Sequence, residues 1–412
     1  MTNKIGRWQG AGLLTTTLLG TSVFILPQMT VDIAGEWAVW AWAILTVTIL
    51  PVAWVFAKLS AAYPHSAGPA HFVEQAFGST YGRTIGMSFL FVVPIGAPAA
   101  LMMTYQFVEV MFQTSGISAL VIQLSFLLVI FLLNYRGIQI SAVMQLTLTL
   151  VITAIVILML VVSGYLEPYS VQSPSNHQFS TAFTAAGLAF WSFLGIEAMS
   201  HLANDFKDPK RDLIPAIFIG TILVGLIYIG CTYLVFRYAE AGSFAMVSVF
   251  DQLFGGYGAI IIGILGIAGG LATVNVYTAS LTRLATSFAD DGFLPKYFAK
   301  TNRHGISVRS LGTLLTVMAV VISATFVLQF DLEQLVGWVN GVFVIIYFAS
   351  MLAALKLLDN KYTPFVLAGC GFCLMLVWGL GWQMSYALIL LVVLVPFVKR
   401  KQMRLNSSPA IL

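Results

Sequence analysis

The sequence predicts an all-α integral membrane protein of twelve transmembrane helices, arranged as two inverted repeats of five followed by two more. Three observations predict it: the composition, the recurrence of charge-poor stretches, and the placement of the basic residues. Of 412 residues, 59% are hydrophobic and 9% charged, with a mean hydropathy of +0.92. Soluble domains carry roughly 25% charged residues, so a water-soluble fold is excluded. The charge-poor stretches each approach the ~20 apolar residues that cross ~30 Å of hydrocarbon.

In order, the spans are expected at 11–33, 37–57, 84–112, 117–135, 139–163, 181–205, 213–236, 257–283, 310–330, 334–355, 363–380 and 382–398. Only the Gly379-Leu380-Gly381 turn separates the last two. Lys and Arg in the connections set the orientation. With the N-terminus in the cytoplasm, 19 of the 20 fall on the inner side, and Arg237 is the exception. This sorting predicts cytoplasmic termini and an even number of spans. The net charge of +4 is then a topology signal, and no nucleic-acid partner is expected. The apolar run after Arg7 is too long for a secretory signal, and no small-residue cleavage site closes it. A single transmembrane domain over 1–400 follows, with repeats at 11–163 and 181–355, two further helices at 363–398 and a cytoplasmic tail at 401–412.

Spans 1 and 6 differ from the rest. Span 1 carries Gly20-Thr21-Ser22 at its midpoint, and span 6 carries Gly195-Ile196-Glu197. A glycine costs about 1 kcal/mol in a helix interior, and a carboxylate at the bilayer centre costs ~3 kcal/mol or more. The two glycines lie 175 residues apart with four spans between, as two five-helix repeats require. Five is odd, so the second repeat crosses inverted. Paired interruptions of this kind point to a midplane binding site. Gly266, Gly270, Gly337 and Gly341 read instead as close-packing positions.

At the span-1 break, the N–H groups of Thr21, Ser22 and Val23 begin a new half-helix and suit a carboxylate. Carbonyls near Thr17 and Leu18, and at 190–193 in span 6, suit an ammonium. Donors on one side and acceptors on the other match the zwitterion of a free α-amino acid. No Arg, Lys or Asp lies at midplane, while Met102, Met103, Phe193 and Met199 offer apolar surface. The expected side chains are those of Met, Leu, Ile or Val. Glu197 has two readings, a proton-linked or gating carboxylate and a structural brace on the helix-1 break. His201, at i+4, is a pH-sensing partner or a satisfied polar neighbour. Glu109 either couples or faces the outer vestibule. Cys370 and Cys373 have redox spacing but sit in an apolar helix, where packing is the better reading. His65 and His71 lack a third ligand, so no metal site and no cofactor are expected. The five histidines do not converge on a nucleophile, which excludes an enzyme. A channel or proton-conducting subunit would show rows of mid-helix charge, and only Glu197 qualifies.

Four stretches carry a family resemblance: GLLTTTLLGTSVFILP at 12–27, YPHSAGPAHFVEQAFG at 63–78, FWSFLGIEAMSHLANDFKDPKRDLIPAI at 190–217 and RLATSFADDGFLPKYFAKTNRHGISVRSL at 283–311. In order and register, they resemble the amino acid–polyamine–organocation (APC) transporter family across helices 1–10. VVPIGAPAALM at 92–102 and HLANDFKDPKRD at 201–212 are similar to its L-methionine and branched-chain amino acid exporters. The resemblance implies a LeuT-type fold, alternating access, an amino acid substrate, protons as coupling partner and the inner membrane of a bacterium. It places Gly20, Thr21 and Ser22 on the substrate carboxylate, Trp191 at an outer gate, Leu194 and Gly195 at the helix-6 break, and Tyr277 on the substrate. Trp191 has a competing packing role, and Tyr277 is preferred to Asn275, two positions away. Export and antiport rest on the resemblance alone, and an importer or exchanger of another branch is the alternative. Ser22 stands where Gly is common, Asp205 where Glu is usual, and residues 139–163 lack the Lys of some proton-coupled relatives.

Overall fold

The computed structural model describes residues 6–20, 22–65, 67–137, 142–164, 178–201, 206–240 and 244–407, with only the backbone of 142–146, 201 and 406–407. Among the described residues the regular structure is entirely helical. The first helix, α1 (Arg7–Leu19), stops at Gly20, whose φ of +33° disfavours any side chain. A 3₁₀ turn over Ser22–Phe24 follows, then α2 (Leu26–Ala34) restarts with Pro27 in its first turn. Proline lacks the N–H that a helix start leaves unpaired, so it favours a restart here. α3 (Ala38–Ala62) runs back across.

Two short helices occupy connections expected to be loops. α4 (Pro69–Phe77) follows Gly68 and buries Phe72 and Val73. In the same connection His65 and His71 stack at 4.2 Å. Burial and the adjacent His65 push His71 below the ordinary imidazole value, against an upward pull from Glu74. α11 (Ala245–Phe254) is the second such helix. Between them lie α5 (Ser79–Phe112), α6 (Ile117–Tyr135) and α7 (Ala142–Ser163).

The expected break in span 6 is present. α8 (Thr181–Ala189) tightens into a 3₁₀ turn over Phe190–Phe193, passes Gly195 at φ +128°, and resumes as α9 (Ala198–His201). α10 (Ile214–Tyr238) then precedes α11, followed by α12 (Gly258–Asp290), α13 (Val308–Leu328), α14 (Leu332–Leu357), α15 (Thr363–Leu380) and α16 (Ser385–Ser407). Several helices outrun their expected spans, α5 beginning at Ser79 and α12 ending at Asp290, because the helix continues past the apolar stretch into polar residues.

Nine stretches among the described residues are long and apolar enough to cross a membrane. Three of them, Ser22–Ala62, Thr181–Ser200 and Asn360–Leu405, each hold more than one helix. Of the broken helices, α1 packs on α10, and α8 on α15 and α2, while the continuous α12 packs on α5. Glycines make the closest approaches. A Cβ on Gly266 of α12 would meet the Phe107 ring at 2.4 Å. Trp42, Tyr228 and Tyr347 are the largest fully buried side chains.

Candidate functional site

The two breaks face each other across one cavity of about 60 Å³. Helix 1 contributes Thr17, Leu18, Gly20 and Ser22, and helix 6 contributes Trp191 and Leu194. The remaining wall is Val92, Val93, Gly96, Ala97 and Ala100 of α5, Thr273, Val274 and Tyr277 of α12, and Val339 and Phe343 of α14. Among the described residues, no charged side chain lines it. Gly20, Ser22, Trp191, Leu194 and Tyr277 are therefore brought together.

Other expected residues lie elsewhere. Gly195 stands behind the wall, where a Cβ would meet Thr17 Cγ2 at 2.8 Å and Leu18 Cδ2 at 3.1 Å. Phe193 is fully buried and does not line the cavity. Met102, Met103 and Met199 do not line it either. The apolar surface comes from an earlier part of α5, where Val92, Gly96 and Ala100 recur at i+4 and small side chains leave room. That small-residue stripe was the available signal, while Val339 and Phe343 had none in a uniformly apolar helix. Thr21 and the side chain of His201 lie outside the described residues.

Glu197 is buried, and its Oε2 accepts hydrogen bonds from the Gly195 N–H at 2.9 Å and the Tyr347 hydroxyl at 2.5 Å. Among the described residues, its bonds thus fall within the helix-6 break and on α14. The Tyr347 hydroxyl also lies 3.2 Å from the Phe193 carbonyl. Helix 1 has a counterpart: Tyr228 of α10 lies 2.7 Å from Ser22 Oγ and 3.4 Å from the Leu18 carbonyl. In both helices one buried tyrosine meets the carbonyl two residues before the glycine and the side chain two residues after it. Neither tyrosine was singled out by sequence, because each reaches its partner from a distant helix.

A second cavity of about 50 Å³ lies between α1, α7 and α12, lined by Thr16, Thr149 and Thr273 among others. It shares Thr17, Gly20, Thr273 and Tyr277 with the first, so these residues stand between the two spaces.

The chain matches the amino acid permease family over residues 5–412. It is 35% identical over 395 residues to the L-methionine/branched-chain amino acid exporter YjeH of Escherichia coli (strain K12), covering 94% of each chain. It is 26% identical to the uncharacterized amino acid permease YecA of Bacillus subtilis (strain 168), covering 93% of this chain and 92% of that one. The cadaverine/lysine antiporter of Escherichia coli (strain K12) is 22% identical, with 97% and 95% covered. Permease, exporter and antiporter are transport activities and not enzymatic ones. A helical chain rich in membrane-length apolar segments, matched to this family along almost its whole length, belongs to the amino acid permease family.

Proposed function

We propose that the protein is a secondary active transporter that exports neutral apolar L-amino acids, methionine, leucine, isoleucine and valine, by alternating access in antiport with protons. The observation that carries this reading is the uncharged cavity between two broken helices. The start of the outer half-helix at Ser22 offers backbone donors to a carboxylate. The end of α1 at Thr17 and Leu18 offers carbonyls to an ammonium. Val92, Ala97, Val339 and Phe343 then surround an apolar side chain. The printed substrates of the 35% identical exporter fit the same chemistry.

The architecture that accompanies this reading is twelve spans in a LeuT-type five-plus-five arrangement. The helices α1–α2, α3, α5, α6 and α7 would form the first repeat, and α8–α9, α10, α12, α13 and α14 the second. α15 and α16 would lie outside both. The sorting of 19 of 20 basic residues supports cytoplasmic termini in a bacterial inner membrane.

Counterflow in proteoliposomes tests the function. Unlabelled methionine, leucine, isoleucine and valine should each drive counterflow of labelled leucine. Arginine, glutamate and putrescine should compete about a hundredfold more weakly, because burying an unpaired charge against apolar walls costs several kcal/mol. Strong competition by arginine overturns the substrate assignment. Proton antiport is tested by an imposed pH gradient, which should drive net leucine flux.

A further inference from the structure

Tyr228 bonds both sides of the helix-1 break yet stands behind the cavity wall, fully buried. Its phenol oxygen lies 2.7 Å from Ser22 Oγ, at the start of the outer half-helix. The same oxygen lies 3.4 Å from the carbonyl of Leu18, near the end of the inner half-helix α1. The ring is held in place. It stacks on Trp42 of α3 at 4.3 Å with an 8° interplanar angle. The Trp42 Nε1–H in turn donates to Thr30 Oγ1 on α2 at 3.0 Å. Tyr228 is thus tied through Trp42 to the outer half-helix, and its bond to Leu18 reaches across to the inner one.

A phenol carries one proton. If it is donated to the Leu18 carbonyl, the Ser22 hydroxyl must donate to the phenol oxygen. If it is donated to Ser22, the Ser22 proton is free to point elsewhere and the Leu18 carbonyl loses this donor. A carboxylate can only accept, so one arriving beside Ser22 selects the second arrangement.

We infer that Tyr228 and Ser22 form a hydroxyl relay in which a substrate carboxylate at Ser22 releases the Tyr228–Leu18 bond, so that the loaded site frees the inner half-helix and the empty site restrains it. The inference rests on the reading of this cavity as an amino acid site. Protons only change partners within the relay, and none is gained or lost. Tyr228 is a positioning residue, since it acts through Ser22 and Leu18.

The test compares leucine exchange with zero-trans leucine efflux for the full chain in proteoliposomes. Exchange needs only the loaded carrier to reorient, whereas efflux also needs the empty one to return. Tyr228→Phe removes the restraint in both states, so efflux should quicken and the exchange-to-efflux ratio should fall about fivefold, the worth of one neutral hydrogen bond. Ser22→Ala keeps the restraint but removes the trigger, so the ratio should fall through slower exchange. The double variant should behave like Tyr228→Phe, because without the phenol Ser22 has nothing to relay. A Tyr228→Phe protein in which both rates drop by one common factor, or neither changes, overturns the relay. Should that variant fail to insert, the ratio in Ser22→Ala decides. A wild-type protein with no amino acid counterflow overturns the functional reading itself, an outcome visible before any variant is made.

Discussion

Gly195 shows how one residue holds the site open. Its φ of +128° is one that side-chain-bearing residues rarely adopt. Any Cβ there would also press on Thr17 and Leu18 of the opposite half-helix. Gly20 is similar, with φ +33° and Thr273 Oγ1 at 3.0 Å from a Cβ position. Gly195→Val and Gly20→Val should each abolish counterflow while surface expression persists, since the damage is confined to the break. Normal transport by both would rule out this cavity as the path. Glu197 makes a second prediction at this scale. It accepts from Gly195 and Tyr347, which is the geometry of a brace. Glu197→Gln keeps an acceptor and should retain exchange and pH-driven flux. Glu197→Leu strands two buried donors at ~1–3 kcal/mol each and should lose both. Loss of pH dependence in the Gln variant with exchange intact would assign proton coupling to this carboxylate instead. The glycines and the carboxylate were legible in sequence because each is costly where it stands. Their partners Tyr228 and Tyr347 were not, since a tyrosine in an apolar helix carries no mark of where its hydroxyl points.

At the scale of elements, glycines let the helices approach closely. Lipid tails are as apolar as leucine, so helix pairs in a bilayer gain from shape and contact. The α5–α12 pair illustrates this, with Phe107 seated over Gly266 and Met111 over Gly263. Gly266→Leu would overfill that contact and should destabilise the protein by roughly 1–3 kcal/mol, read as a lower midpoint in a thermal scan of the detergent-purified chain. An unchanged midpoint would show that the pair tolerates separation. Asn340 on α14 plays a different part, donating to the Gly187 and Leu188 carbonyls of α8 at 2.8 and 3.0 Å. The helical nature of these segments was readable from hydropathy and length. The extra helices α4 and α11 were not, because each is short and lies in a polar connection.

At the scale of the molecule, the proposed sidedness rests on the basic residues. A cysteine introduced at Glu240 should react with a membrane-impermeant maleimide in intact cells, and one at Lys300 only after permeabilisation, both positions being exposed. The reverse pattern would invert the proposed topology. The sequence by itself determined that the chain belongs in a bilayer, because hydropathy and charge are sums over neighbouring residues. It also determined where two helices break, because glycine and a carboxylate are locally expensive in a spanning segment. Tertiary structure alone decided which residues meet at those breaks. Ser22 finds Tyr228 across 206 positions and Glu197 finds Tyr347 across 150. It also decided that Val92, Ala97, Val339 and Phe343 line the cavity in place of Phe193 and the methionines. The physical reason is the solvent. In water a polar stripe marks the outer face of a helix, but in lipid both faces are apolar, so only the packed register of the helices reveals which one turns inward.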